Sequence, residues 1–216
     1  MNTTARYIHA LGPAALTRFY DPMIRRLMRE DTFRDGLMEH ARLAPGQRAL
    51  DVGCGTGTLA VLVKQRHAGV EVHAVDGDPE VLAIARDKAT RAGVDVRFER
   101  ALASQLPYED GTFDRVVSSL VFHHLVTDDK RRAAREIFRV LRPGGALLLA
   151  DFGPPRSAPG RALARALRAF EEIADNLAGR LPALLSDAGF SDVAEIDRLG
   201  TLMGPIAYLQ GRKPEA

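Results

Sequence analysis

The chain predicts an α/β protein of the Rossmann-like, doubly wound kind: a mostly parallel sheet with helices on both faces and an antiparallel strand near its end. Three observations carry this expectation. From about Gln47 to Phe152, short apolar runs alternate with helical patterns of roughly 10 to 15 residues, the signature of a parallel sheet. A glycine-rich turn, ALDVGCGTGTLA (49–60), joins the first strand to the first helix of that series. The tail, 192–213, carries two strand-like runs with Gly200 and Gly204 between them, a hairpin-like pair that adds an antiparallel strand.

The elements follow in order. RALDV (48–52) is a buried strand, and Thr58–Arg66 a helix with Leu59, Leu62 and Val63 on one face. VEVHAVD (70–76) is the second strand. Pro79 opens the next helix, where its missing N–H costs nothing, and Val81, Leu82, Ile84 and Ala85 supply the apolar stripe. Gly93 stops it before a third strand, VDVRFE (94–99). FDRVVSSL (113–120) is the fourth strand, and Lys130 to Leu141 a helix ended by Pro143-Gly144-Gly145. GALLLADF (145–152) is the fifth strand. We divide the chain, as one domain over 1–216, into an N-terminal helical cap (1–45), a ligand-binding core (46–152), a helical insertion or lid (153–188) and a terminal strand pair (189–216). The insertion itself is read over 155–188. There Arg161, Arg165 and Arg168 share one helical face, and Leu163, Leu167 and Phe170 another.

Bulk composition narrows the classes. Of 216 residues, 46% are apolar and 27% charged, which argues for a globular fold and against disorder. A net charge of +2 predicts no nucleic-acid partner, since phosphate-tracking proteins concentrate Lys and Arg. Cys54 is the single cysteine, so no internal disulfide and no multi-cysteine metal site is expected. The N-terminal stretch lacks a sustained apolar run, and no segment approaches the roughly 18 apolar residues that span a bilayer. The expected location is cytoplasmic.

The glycine turn contains Gly55-x-Gly57-x-x-Ala60, a partial dinucleotide-binding pattern, yet Asp51 stands just ahead of it. A diphosphate within about 4 Å of that carboxylate would be disfavoured by on the order of 4 kcal/mol per unit charge near a surface. S-adenosylmethionine carries an ammonium and a sulfonium instead, and Asp51 can accept a charge-assisted hydrogen bond from the ammonium, directly or through water. Asp76, at the end of the second strand, suits the ribose hydroxyls of either ligand. Gly53, Gly55 and Gly57 allow positive φ and close backbone approach. Asp51 therefore decides for a cation.

ALDVGCGTG, the acid of AVDGDPE, the LPYEDGTFDRVVSSLVFHHL run and RVLRPGGALLLADF together resemble the class I S-adenosylmethionine-dependent methyltransferases, in the group related to ubiquinone and menaquinone methyltransferases. The resemblance covers residues 47–152 closely. It extends more loosely to Tyr20-Asp21 and to the LLSDAGFSDV and GPIAYLQGRKP tail. It implies a seven-stranded sheet with the last strand antiparallel, S-adenosyl-L-methionine as cofactor, and a small, apolar or aromatic (quinone-like) methyl acceptor. By resemblance, Asp51, Gly53 and Gly55 line the methionine part, Asp76 binds the ribose, Gly77 lies beside the adenosine and Ser119 flanks the methionine end. The family's usual acid toward the adenine amino group is missing. Ala101 and Leu102 stand there, so backbone groups and apolar packing must serve.

Other residues carry two readings. Cys54 is a small residue that fits the loop, or else a thiol nucleophile or metal ligand. His123 and His124 follow the fourth strand on the rim where the reactive methyl would lie; they act as a general base or shape the pocket. Tyr20-Asp21 resembles a pair that closes over the cofactor in quinone-methylating relatives, or is a turn. The Arg161/Arg165/Arg168 face is solvated, or approaches anionic lipid. No metal is expected. Two rival functions stand beside methyl transfer: a dinucleotide-dependent oxidoreductase, and a catalytically inactive S-adenosylmethionine-binding protein.

Overall fold

The computed structural model describes residues 29–158, 160–162 and 171–215. Its centre is a seven-stranded sheet in the order β3-β2-β1-β4-β5-β7-β6. The strands are β1 (Arg48–Val52), β2 (Glu71–Asp76), β3 (Arg97–Arg100), β4 (Phe113–Ser119), β5 (Leu141–Phe152), β6 (Ser191–Thr201) and β7 (Gly204–Arg212). β1 to β5 pair in parallel, and β7 runs antiparallel to both β5 and β6. The helices are α1 (Glu30–Ala41), α2 (Thr58–Arg66), α3 (Pro79–Ala92), α4 (Thr127–Val140), α5 (Glu171–Leu177) and α6 (Leu181–Asp187).

Strand periodicity sorts the apolar side chains into two cores. Ala49, Val72, Ala74, Val117, Leu148, Ala150, Ile206 and Tyr208 face α1 and α2. Their neighbours Leu50, Val52, Val75, Val116, Leu147, Leu149 and Leu209 face α4 and α6 on the other side. Asp51 has the parity of Ala49, so its side chain belongs to the α1–α2 face. Strand order reverses between β1 and β4, and the carboxyl ends of these strands form the crevice where open α/β sheets place ligands.

Local chemistry sets the element ends. Asp78 caps α3 by accepting a hydrogen bond from the Glu80 N–H at 2.8 Å, with Pro79 at the first helical position. Gly93 closes the same helix at φ 65°, and the Val94 N–H turns back to the Ala89 carbonyl. β3 therefore begins at Arg97 rather than Val94. α4 starts at Thr127 and ends at Val140, so β5 runs through Pro143-Gly144-Gly145 instead of beginning after it. The register shift between Phe113 and Arg115 accommodates that longer strand.

Of the segment expected as a cap, α1 is built into the α1–α2 face of the sheet, burying Phe33, Leu37, Met38 and Ala41. The Tyr208 hydroxyl donates to the Phe33 carbonyl at 3.1 Å from below. Gly36 gives it room, since a Cβ there would lie 2.9 Å from the Tyr208 oxygen. Of the expected insertion, α6 packs Leu181, Leu184 and Leu185 into the α4 core. Tyr20, Asp21, Leu163, Arg165, Leu167, Arg168 and Phe170 lie outside the described residues.

Candidate active site

A cleft of ≈ 470 Å³ opens at the carboxyl ends of β1, β2 and β4. Gly53, Cys54, Gly55, Asp76, Gly77, Ala101, Leu102, Ser119 and His124, all singled out from the sequence, stand on its wall. Asp51 and His123 stand one layer behind it.

The loop after β1 is held by backbone bonds. The N–H groups of Gly53 and Cys54 both donate to the Val75 carbonyl, at 2.8 and 3.0 Å. Asp76 fastens the same loop from β2: one carboxylate oxygen accepts from the Gly55 N–H and the other from the Asp78 N–H, each at 2.9 Å. One acid thus ties two loops together and keeps spare lone pairs toward the cleft. The three glycines have positive φ but separate reasons for it. A Cβ on Gly53 would strike Val121 at 2.2 Å, and one on Gly57 would meet Ala85 at 2.7 Å. A Cβ on Gly55 would meet nothing within 4 Å, because that position faces open cleft. Gly53 and Gly57 serve packing, and Gly55 leaves its side of the cleft open.

Asp51 is 2% exposed, and neither carboxylate oxygen closes a hydrogen bond. Burial, and secondarily the charge of Asp76, push its pKa up to about 7, against the pull of the Arg34 guanidinium and the Ala60 N–H. A buried carboxylate that closes no hydrogen bond is costly, and the Ala60 N–H and the Arg34 guanidinium offset part of that cost. Arg34, on the cleft wall, is in a matching state. Its Nη2 pairs with Glu30 at 2.8 Å, while its Nη1 is buried without a partner. The groups with bonding capacity left over are therefore the Asp51 carboxylate, one Arg34 N–H and the spare lone pairs of Asp76. They fit a nucleoside with a zwitterionic tail and oppose a diphosphate.

At the β3 end, Ala101, Leu102, Ala103 and Ser104 line the wall with no carboxylate among them. The Ala101 N–H donates to the Asp76 carbonyl at 3.1 Å, and the Gln105 N–H to the Leu102 carbonyl at 2.9 Å. Cys54 lines the cleft with its thiol pKa raised, first by burial and then by Asp51 and Asp76, so thiolate chemistry is suppressed.

The other end is built after β4. Leu120 adopts φ 56°, a left-handed conformation that is strained for a branched side chain, and its N–H donates to the Ala150 carbonyl at 2.9 Å. The kink carries Val121 over Gly53 and starts a short 3₁₀ turn, Phe122–His124. Asp151, 1% exposed at the end of β5, organises this turn. It accepts from the Phe122 N–H at 2.8 Å and from His123 Nδ1 at 2.8 Å. His123 is thereby turned away from the cleft wall, its ring 3.9 Å from that of His124. His124 faces the cleft, and burial, reinforced by His123, pushes its pKa down to about 4. At neutral pH the ring is uncharged and one nitrogen can accept a hydrogen bond.

Asp129 and Glu172 complete this wall. Fully buried Lys130 donates to the Glu172 carbonyl and lies 3.5 Å from Asp175. Asp175 also accepts from Thr127 at 2.7 Å and from Arg180 at 2.7 Å. These contacts pin α5 over the 3₁₀ turn. Sequence reasoning missed Arg34, Asp129, Asp151 and Glu172. For Asp151, an acid ending the fifth strand was a usable signal; for the others, isolated charges on helices give none.

The profile of a family described as "Methyltransferase domain" matches residues 50–149. A demethylmenaquinone methyltransferase of Thermus thermophilus is 45% identical over 50% of this chain and 49% of its own length. A ubiquinone/menaquinone biosynthesis C-methyltransferase UbiE of Vibrio parahaemolyticus is 30% identical over 78% of this chain and 73% of its own. The chain thus spans about half the length of most of the relatives it matches. A crystal structure of a SAM-dependent methyltransferase from Methanosarcina mazei superposes with a TM-score of 0.71 at 21% identity, over 83% of this chain and 98% of that one. That likeness concerns the fold.

Proposed function

The chain belongs to the class I S-adenosylmethionine-dependent methyltransferases of the UbiE-like group, and from that premise we propose that it moves a methyl group from S-adenosyl-L-methionine to a small, quinone-like aromatic acceptor. The observation that carries the donor is Asp51, a buried carboxylate whose two oxygens have no partner. Bound, the cofactor would supply an electrophilic methyl group on a sulfonium. Gly53 and Gly55 would admit its amino-acid part, Asp76 would take the ribose hydroxyls with the lone pairs left by its two backbone bonds, and Ala101 to Ser104 would pack the base.

The chain's own work is then alignment and exclusion of water. The acceptor would lie against Leu125, Val126 and His124. His124, uncharged at neutral pH, accepts a hydrogen bond from an acceptor hydroxyl and takes its proton as charge develops there. Asp151 holds His123 behind it, which fixes the turn that carries His124. No covalent bond to the protein is needed, which agrees with a suppressed Cys54 thiol. Among the described residues no helix is long and apolar enough to cross a membrane. The reading is of a small-molecule enzyme working in the cytoplasm.

The test has two arms. Titration with S-adenosylhomocysteine and with NADH should give saturable binding of the first and none of the second. Methyl-labelled cofactor incubated with extract of the native source should then label an aromatic small molecule. NADH binding without a response to S-adenosylhomocysteine would return the oxidoreductase reading. Binding of S-adenosylhomocysteine with no labelled product would return the inactive binding protein.

A further inference from the structure

Of the four large hydrophobic side chains that stand exposed among the described residues, three lie on the β6–β7 hairpin: Ile196, Leu202 and Met203. Leu202 and Met203 form its turn and are 83% and 51% exposed. Lone apolar residues on a surface are ordinary, but an adjacent pair on a turn is a different feature. The turn also stands on the rim of the cleft. Phe152, the last residue of β5, faces Ile206 of antiparallel β7, so the residues before Ile206 reach past the carboxyl end of β5. Phe152 meets the His123 ring edge-on, with centroids 4.9 Å apart, and lies 3.5 Å from where a Cβ of Gly204 would sit. One aromatic ring thus links the hairpin turn to the 3₁₀ turn that carries His124.

Two features equip the turn to leave water. Part of its backbone is satisfied from within: the Thr201 hydroxyl accepts from the Met203 N–H at 3.2 Å and donates to the Gly204 carbonyl. The apolar side chains can therefore be buried without stranding those groups. Guanidinium groups also gather beside the hairpin. Arg29 donates to the Gly200 carbonyl at 3.4 Å. Arg156 and Arg198 share the Glu195 carboxylate, at 3.3 and 2.6 Å, and exposed Arg161 donates to the Arg156 carbonyl. Against these cations the strand sets Glu195 and Asp197, the latter engaged by His40 at 3.3 Å. An apolar tip inside a positive collar matches the anionic surface of a bilayer, whereas two such collars would repel each other in a dimer. From this juxtaposition we infer that the β6–β7 turn docks on a membrane surface. Leu202 and Met203 enter the headgroup–acyl boundary, and Arg29, Arg156 and Arg161 meet anionic headgroups. The purpose rests on the proposed reading of an apolar acceptor: such a molecule dissolves in membranes, and the turn brings the cleft's rim to it.

Sedimentation with phosphatidylcholine vesicles, with and without phosphatidylglycerol, tests the contact in the absence of acceptor and cofactor. The wild-type chain should partition onto the vesicles that contain phosphatidylglycerol, less so as salt is raised. The double variant Leu202→Ser/Met203→Ser should lower that partitioning about tenfold or more, and Arg156→Gln about fivefold. Both variants should keep the wild-type melting temperature and S-adenosylhomocysteine affinity. A wild type that binds neither kind of vesicle overturns the inference, and this arm needs no variant to fold. So does undiminished binding by the double variant. A lowered melting temperature in the double variant would show that the chain itself covers the turn. A wild-type dimer that the double variant converts to monomer would show that a second copy does; either result overturns the inference too. Failure of the acceptor reading gives a different outcome: vesicle binding persists and no aromatic product is labelled.

Discussion

The two ends of the cleft are built by different physics. Around β1 and β2 the wall is backbone: glycines at positive φ, amide N–H groups bonded to Val75 and Asp76, and one buried acid left without a partner. After β4 the wall is side chain: a histidine held neutral, two carboxylates, and a short helix pinned by Lys130 and Asp175. A backbone wall accepts one ligand shape and is intolerant of added atoms. A side-chain wall can be rewritten without disturbing the sheet, which suits the part of the cleft where we propose that the acceptor binds.

The largest expected effect lies in the first wall. Asp51→Asn should weaken S-adenosylhomocysteine binding about a hundredfold or more, read by calorimetry, because the ammonium loses its countercharge. The same variant should make the free protein more stable at pH 8. An acid whose pKa rises from 3.8 to about 7 on folding destabilises the folded state progressively above the lower value, and fully above the upper. The gain should be on the order of a few kcal/mol at pH 8 and vanish near pH 4. Thermal melts at the two pH values check the sign. Equal loss of stability at both would mean that the carboxylate serves the fold.

In the second wall, His124→Ala should lower turnover about a hundredfold, within the range for general base catalysis, and leave S-adenosylhomocysteine binding within about twofold. Because the ring is uncharged above about 4, its titration should not shape the rate between pH 5 and 8. A large loss of cofactor binding in this variant would erase the division between the walls.

A smaller contrast lies inside the glycine loop. Gly53→Ala drives a methyl into Val121 and should cost about 1–3 kcal/mol in stability, by urea denaturation. Gly55→Ala meets open space and should cost about 1 kcal/mol, through its left-handed φ alone. It should nevertheless weaken ligand binding, since its methyl occupies cleft. Equal stability costs would mean that the two glycines do the same job.

The sheet was legible because each central strand is a run of buried apolar residues between turn signals: β1 and α2 were read to the residue. β3 was misplaced because Val94 looks like strand in isolation, while its N–H belongs to the cap of α3. In the site, the glycines and strand-terminal acids announced themselves through spacing along one stretch of chain. Arg34, Asp129 and Glu172 did not, because tertiary packing alone brings α1, α4 and α5 to the same cleft. The separation of His123 from His124 was equally hidden. It depends on Asp151, 28 residues away, taking the Nδ1–H of the first ring.

We propose Asp51 as the buried acid that a cationic ligand completes. Proton exchange on binding tests this most directly. With its pKa raised to about 7, the carboxyl is partly protonated near neutral pH, and an incoming ammonium should drive it to the charged form. Titrating S-adenosylhomocysteine at pH 7 in buffers of different ionisation enthalpy should reveal net proton release on binding, absent in Asp51→Asn. Binding without proton release, or the same release from the variant, would contradict it.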